Sequence, residues 1–208
     1  KRYNLPSLAT ALVWAHTPQK LKDADAARKR FAFEEVFMIQ LERQRERLQQ
    51  AKEKSFAVAA SEDEVRAFVG DFPFDATAAQ QKAIAAILTD MRSGHPMSRL
   101  LEGDVGSGKT LVAAATSYAV VNSRPPNRAS GTLQVAYMAP TEILAQQHFE
   151  SFIQYFKHLP INIALMTGSG CKKFPSKLNK DKPTDISRSQ LLKWVANGEI
   201  AMVVGTHA

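Results

Sequence analysis

Gly103, Asp104, Val105, Gly106, Ser107, Gly108, Lys109 and Thr110 read GDVGSGKT and fill a GxxxxGKT template without departure. The residue types state the chemistry. Glycines let the backbone bend so that successive N–H groups point inward at phosphate oxygens, the lysine reaches the β- and γ-phosphates, and the threonine hydroxyl is a ligand for Mg²⁺. A helix leaving the loop aims its positive end at the same anion. A nucleoside triphosphate with Mg²⁺ is the ligand this pattern fits, with Lys109 and Thr110 as its catalytic residues.

The flanks have the order the loop needs. Residues 97–102 (MSRLLE) read as a short strand entering it, and residues 111–121 (LVAAATSYAVV) as an apolar helix leaving it. After a polar, turn-rich loop at 122–131 come a strand at 133–139, a helix at about 141–158 that Pro160 ends, and strands at 161–167 and 200–205. A helix with Leu191, Leu192 and Val195 on its core side, closed by Gly198, separates the last two. Non-alternating apolar strands that alternate with helices predict an α/β fold with a buried parallel sheet, its ligand at the carboxyl ends of the strands. Residues 170–188 read as a basic, mobile loop. Its lysines, Lys172, Lys173, Lys177, Lys180 and Lys182, either decorate an inert surface insertion or meet nucleic-acid phosphates.

Ahead of this lies a helical arm. Residues 5–17 predict a short docking helix and 24–54 a long one without Gly or Pro, whose distal half (ERQRERLQQAKEK) has the alternating charge of a solvated face. Ser61 to Glu64 (SEDE) and Thr77 to Gln80 (TAAQ) are capping boxes for two further helices, the second lined by Ile84, Ile87, Leu88 and Met91. Residues 72–74 join them, and the chain divides into an arm at 1–72 and a nucleotide-binding part at 73–208.

Composition sets the bounds. At 45% hydrophobic and 23% charged, the 208 residues suit an ordinary globular core, and no apolar stretch approaches the roughly 18–20 residues of a membrane span. The lone Cys171 excludes an internal disulfide and fits a reducing, cytoplasmic setting. His16, His95, His148, His158 and His207 show no metal-ligand spacing. The net charge of +7 is compatible with a polyanionic partner, and its excess lies mainly beyond residue 72.

Three more segments follow their strands at the edge where the phosphate loop sits: APTEILAQQ at 139–147, TGS at 167–169 and GTH at 205–207. Taken singly, Thr141 is an ordinary helix cap and 167–169 an ordinary turn. Together they supply the hydroxyls, N–H groups and helix N-termini that hold a nucleic-acid backbone without reading bases.

In this order, TxxQ, GDVGSGKT, APTEILAQQH, TGS and VVGTHA resemble the first RecA-like motor domain of superfamily-two helicases, most closely the RecG family of bacterial branch-migrating DNA helicases. The close match runs from about Phe72 to Ala208, and LPSLATAL and AARKRFAFEEVF resemble the helices joining that family's wedge domain to its motor. The resemblance implies ATP and Mg²⁺ as cofactors, with Gln80, in a box with Thr77, sensing adenine and Phe74 packing near the base. It implies that Pro140, Thr141 and Glu142, then Gly168 and Ser169, then Gly205, Thr206 and His207 contact a DNA strand. For Gln80 simple helix capping through Thr77 is the alternative, and the two roles can coexist; for Glu142 a scaffold contact is the alternative.

The resemblance also implies an acidic DExH box after GTH, a second motor domain with an arginine finger and a DNA wedge, none of which lies within these residues. The chain is thus expected to be an excised part of a longer, monomeric, nucleoid-associated enzyme that remodels branched DNA. By itself it is expected to show weak nucleotide binding, little or no ATPase, and self-association through an exposed sheet edge. Two other readings stand beside this one: the motor of a transcription-repair coupling factor, which shares GDVGxGKT, and a non-motor phosphate-loop module, which accounts for the loop alone.

Overall fold

The structure, a computed structural model, describes residues 3–125 and 131–207. Residues 126–130 of the expected loop and Ala208 of the VVGTHA motif lie outside the described residues. The chain separates into two compact units, Lys1–Glu53 and Lys54–Ala208.

The first unit is a helical pair, α1 (Leu8–His16) and α2 (Leu21–Gln50). The Ser7 hydroxyl accepts the Thr10 N–H at 3.1 Å to start α1, and the Asp23 carboxylate accepts the Lys20 N–H at 3.0 Å to start α2. The helices bury Ala11 and Ala27, side chains small enough for close approach, and Tyr3, Phe33 and Phe37 stack along one side. As expected, the distal half of α2 is exposed throughout.

In the second unit, residues 54–60 are strapped down before any helix begins. The N–H groups of Ser55, Val58 and Ala59 donate to the Gly94 carbonyl, the Met91 carbonyl and the Ser123 hydroxyl. Helix α3 (Glu62–Gly70) opens with the Ser61/Glu64 box, and α4 (Ala78–Met91) with the Thr77/Gln80 box. Helix α5 (Lys109–Val121) follows the glycine loop and is so apolar that eight of its residues are buried, as its central position requires. Phe68 of α3 stacks on Tyr118 of α5 at 4.2 Å, and Phe72 lies 4.5 Å from Tyr155. Residues 54–72, assigned to the arm on sequence, therefore pack with the nucleotide-binding unit, and the division between units falls at Glu53.

Five strands form one sheet in the order β1-β5-β2-β3-β4. Strands β1 (Val135–Met138), β5 (Met202–Gly205) and β2 (Ile163–Thr167) are parallel. Helices α6 (Glu142–Phe156) and α7 (Arg188–Ala196) connect them. Alternation along β2 and β5 divides the core: Ile163, Leu165, Met202 and Val204 join α3, α4, α5 and α6 in the larger cluster, while Ala164, Met166 and Val203 meet Leu191 and Trp194 of α7 on the other face.

Two expectations are corrected. Residues 170–188 are no loop but a hairpin, β3 (Gly170–Phe174) and β4 (Thr184–Ile186), added antiparallel to β2, so the sheet is mixed. Buried Cys171 and Phe174 anchor it, and the lysines between them hide so short an apolar pattern. Residues 97–102 join no ladder, because a strand exists only beside a partner and no described strand runs there; Leu100 is 87% exposed while Leu101 packs on the core.

Phe152 is fully buried among the rings of Tyr137, Tyr155 and Phe156. Phe152→Ala should lower the unfolding free energy by about 3–5 kcal/mol in denaturant titrations, whereas Leu178→Ala, at a wholly exposed position, should stay within about 0.5 kcal/mol.

Candidate nucleotide site and nucleic-acid surface

The glycine loop is built around a left-handed turn. Gly108 is the N-cap of α5 at φ 78°, ψ 28°, and a Cβ placed there would crowd the end of the Gln80 side chain. The left-handed backbone and the close neighbour both favour glycine. Gln80 itself is used twice: its Oε1 accepts the Thr77 N–H at 2.8 Å, closing the α4 box, and its Nε2 donates to the Ser107 carbonyl at 2.8 Å. Capping and loop contact thus coexist in one side chain. Phe74 is half-exposed with its ring edge-on to Phe72 at 5.8 Å.

Inside the loop, Lys109 Nζ donates to the carbonyls of Gly103 and Asp104 at 2.7 Å each and lies 3.5 Å from Ser107 Oγ. The N–H groups of Gly108, Lys109 and Thr110 have no acceptor among the described residues, since the first intrahelical bonds of α5 run from Leu111 and Val112 to Gly108. Three undirected donors at a helix start, beside a lysine ammonium, fit a triphosphate. For Mg²⁺ the chain offers the Thr110 hydroxyl, and among the described residues no cluster of three His, Cys, Asp or Glu side chains stands ready to hold a metal. A cation here would take its remaining ligands largely from phosphate and water, the usual arrangement for Mg²⁺.

The Leu133 N–H donates to the Ser123 carbonyl at 2.8 Å, so the C-terminal end of α5 meets the start of β1. At the carboxyl tips of the parallel strands the three other segments stand side by side. Met138 of β1 and Met166 of β2 both pair with Gly205 of β5, which puts Pro140 to Glu142, Thr206 and His207, and Gly168 and Ser169 at one edge. A Cβ on Gly205 would meet the Met166 carbonyl oxygen at 2.5 Å. The Ala139 N–H donates to the Gly205 carbonyl at 2.8 Å and the Thr206 N–H to the Met166 carbonyl at 3.3 Å.

The residues at this edge divide by what they touch. Pro140, Thr141, Gly168, Ser169 and His207 are exposed, Glu142 and Thr206 are half-buried, and Gly205 is buried. Thr141 caps α6, accepting the Leu144 N–H at 3.3 Å. Glu142 Oε1 accepts the Ser169 N–H at 3.1 Å and so ties the tip of β1 to that of β2. Hydrogen bonding from the Ser169 side chain, opposed by desolvation and reinforced by the N–H groups of Ser169 and Gly168, holds the Glu142 carboxyl below its ordinary range. The Thr206 hydroxyl oxygen is buried without a partner among the described residues. His148, also in the APTEILAQQH run, packs edge-on against Tyr137 at 4.9 Å, and burial pushes its pKa down; it is a packing residue.

Sequence reasoning did not anticipate the Gln80 to Ser107 and Glu142 to Ser169 contacts. Each joins residues 27 apart, and only a carboxamide and a carboxylate near a helix start hinted at them.

Comparison with known proteins agrees with this geometry. A family model described as DEAD/DEAH box helicase matches residues 77–208. Over its whole length the chain is 37% identical to the ATP-dependent DNA helicase RecG of Aquifex aeolicus, covering 24% of that protein. It is 37% identical to that of Bacillus subtilis and 38% identical to that of Streptococcus pneumoniae, covering 28% of each. It spans about a quarter of the length of the curated relatives it matches. A solved structure of RecG bound to a three-way DNA junction superposes with a TM-score of 0.73 at 31% identity, covering 99% of this chain and 25% of that one.

Two outcomes are expected of the site. Gly108→Ala should cost about 1–3 kcal/mol of stability, and pairing it with Gln80→Ala should recover part of that loss; strict additivity in thermal melts would refute the close approach. A lowered carboxylate pKa means that the Glu142 contact is fully present above pH 4.5 and is lost as pH falls through the lower folded value. In an NMR titration the Ser169 amide should therefore shift with a midpoint under 4.5, and Glu142→Gln should abolish the shift. A midpoint at or above 4.5 would mean the carboxylate is free.

Proposed function

Since the chain belongs to the DEAD/DEAH box helicase family, we propose that it is the nucleotide-binding part of an ATP-driven motor that remodels branched DNA. The observation that carries the reading is the alignment of three strand-tip segments at one sheet edge, in a chain that also holds the phosphate loop. A small-molecule kinase or regulatory switch needs only the loop. The RecG relatives, matched over the whole chain including the helical unit, favour branched DNA over the coupling-factor alternative.

In this reading the N–H groups of Gly108, Lys109 and Thr110 receive the phosphates, and Lys109 exchanges its two carbonyl acceptors for phosphate oxygens. Thr110 would hold Mg²⁺, and the ion would supply neutralisation of phosphate charge. Gln80, with Thr77 and Phe74 near it, is the adenine-side residue, and its bond to Ser107 is the path by which the base and the loop register one another. At the strand tips, Pro140, Thr141, Gly168, Ser169 and His207 offer contacts to a DNA backbone, and Gly205, Thr206 and Glu142 hold those tips in step. A place beside the bacterial chromosome follows from such a substrate.

Lys109→Ala should weaken binding of Mg²⁺ and a fluorescent ATP analogue about tenfold to a hundredfold, the worth of a charge-assisted phosphate contact. Unchanged affinity would remove the loop from the account. With the same chain, a three-way junction should bind more tightly than linear duplex of equal length; equal affinities would leave a DNA motor without a preference for branches.

A further inference from the structure

The β3–β4 hairpin places its lysines in two different settings. Lys172 lines a groove with Glu142 and Asp185, whereas Lys173 joins Lys157, Lys177 and Lys180 around a separate cavity of about 390 Å³ with Pro175 and Ser176. No acidic side chain lines this second cavity. The ion pairs of Arg30, Arg66, Arg92 and Arg99 lie elsewhere.

The cluster is held in place. Lys173 Nζ donates to the Pro175 carbonyl at 2.8 Å and lies 5.8 Å from the Trp194 ring centroid. Between the strands, the Ser176 N–H donates to the Lys182 carbonyl, the Lys182 N–H to the Asn179 carbonyl and the Leu178 N–H to the Ser176 hydroxyl. Burial first, and then the charge of Lys177, push the Lys173 pKa down, while Glu199 opposes them. Positive charge gathered on a braced turn, with Glu199 as a counter-charge outside the cavity lining, is relieved by an anion.

We propose that this cavity is a second DNA contact, taking phosphodiester oxygens of an arm that extends from the strand-tip surface. It rests on the reading that the chain acts on DNA. Lysines suit the task because they meet phosphate as point charges and read no base. The position suits it too. Phe174 pairs with Ile163 at the start of β2 and Gly170 with Thr167 at its end, so the cavity lies about 13 Å along the strand from the tips, roughly four base-pair rises of duplex. One arm can reach both places.

The test is the salt dependence of junction binding by the 208-residue chain. Lys157→Gln, Lys177→Gln and Lys180→Gln combined should reduce the slope of log affinity against log salt by about 2.7, at 0.9 per phosphate contact, and leave Mg²⁺·ATP binding unchanged. A control carrying Lys22→Gln, Lys29→Gln and Lys193→Gln changes the net charge equally and should keep the wild-type slope. An unchanged slope in the first variant, or an equal fall in both, overturns the proposal while leaving the motor reading intact. Failure of the unaltered chain to bind any DNA overturns the motor reading and this proposal with it.

Discussion

Gly205 has room for a hydrogen and nothing larger, because the Met166 carbonyl oxygen lies where its Cβ would be. The rest of the edge depends on that approach. With β5 drawn against β2, the Thr206 N–H reaches the Met166 carbonyl, and the Gly205 carbonyl on the other side receives the Ala139 N–H. One residue of the central parallel strand thereby sets the height of both neighbours. Glu142 adds a bond across the top, from the start of α6 to Ser169. Without that common height the three segments would be unrelated turns; with it they form one surface.

The phosphate loop shows the same economy. Its left-handed Gly108 sits against Gln80, whose two ends hold a helix start and the loop carbonyl of Ser107. Lys109 rests on two loop carbonyls, neutral acceptors that the charged oxygens of a triphosphate can replace. A nucleotide that repositions Ser107 or Lys109 therefore acts on α4 as well as on α5.

Much of this was legible in the residues. The GDVGSGKT loop and the caps at Ser61, Thr77 and Thr141 are local chemistry, and local chemistry survives folding unchanged. Strands β2 and β5 announced themselves because buried strands are apolar on both faces, while β1, exposed on alternate residues, was legible from its apolar composition alone. The hairpin did not, since Cys171 and Phe174 are separated by lysines and its pairing depends on the free edge of β2, which no local pattern encodes. The boundary at Glu53 was hidden for a similar reason: Phe68 belongs to the core only because Tyr118 and Phe156 come to meet it. Residues 97–102 have the composition of a strand, but among the described residues no neighbour supplies the pairing.

The central claim is that the three strand tips form a single surface for a DNA strand, and amide chemical shifts during titration with a short single-stranded oligonucleotide test it most directly. Thr141, Glu142, Gly168, Ser169, Thr206 and His207 should shift together along one binding curve. Saturable DNA binding that leaves these six amides unmoved would contradict the account.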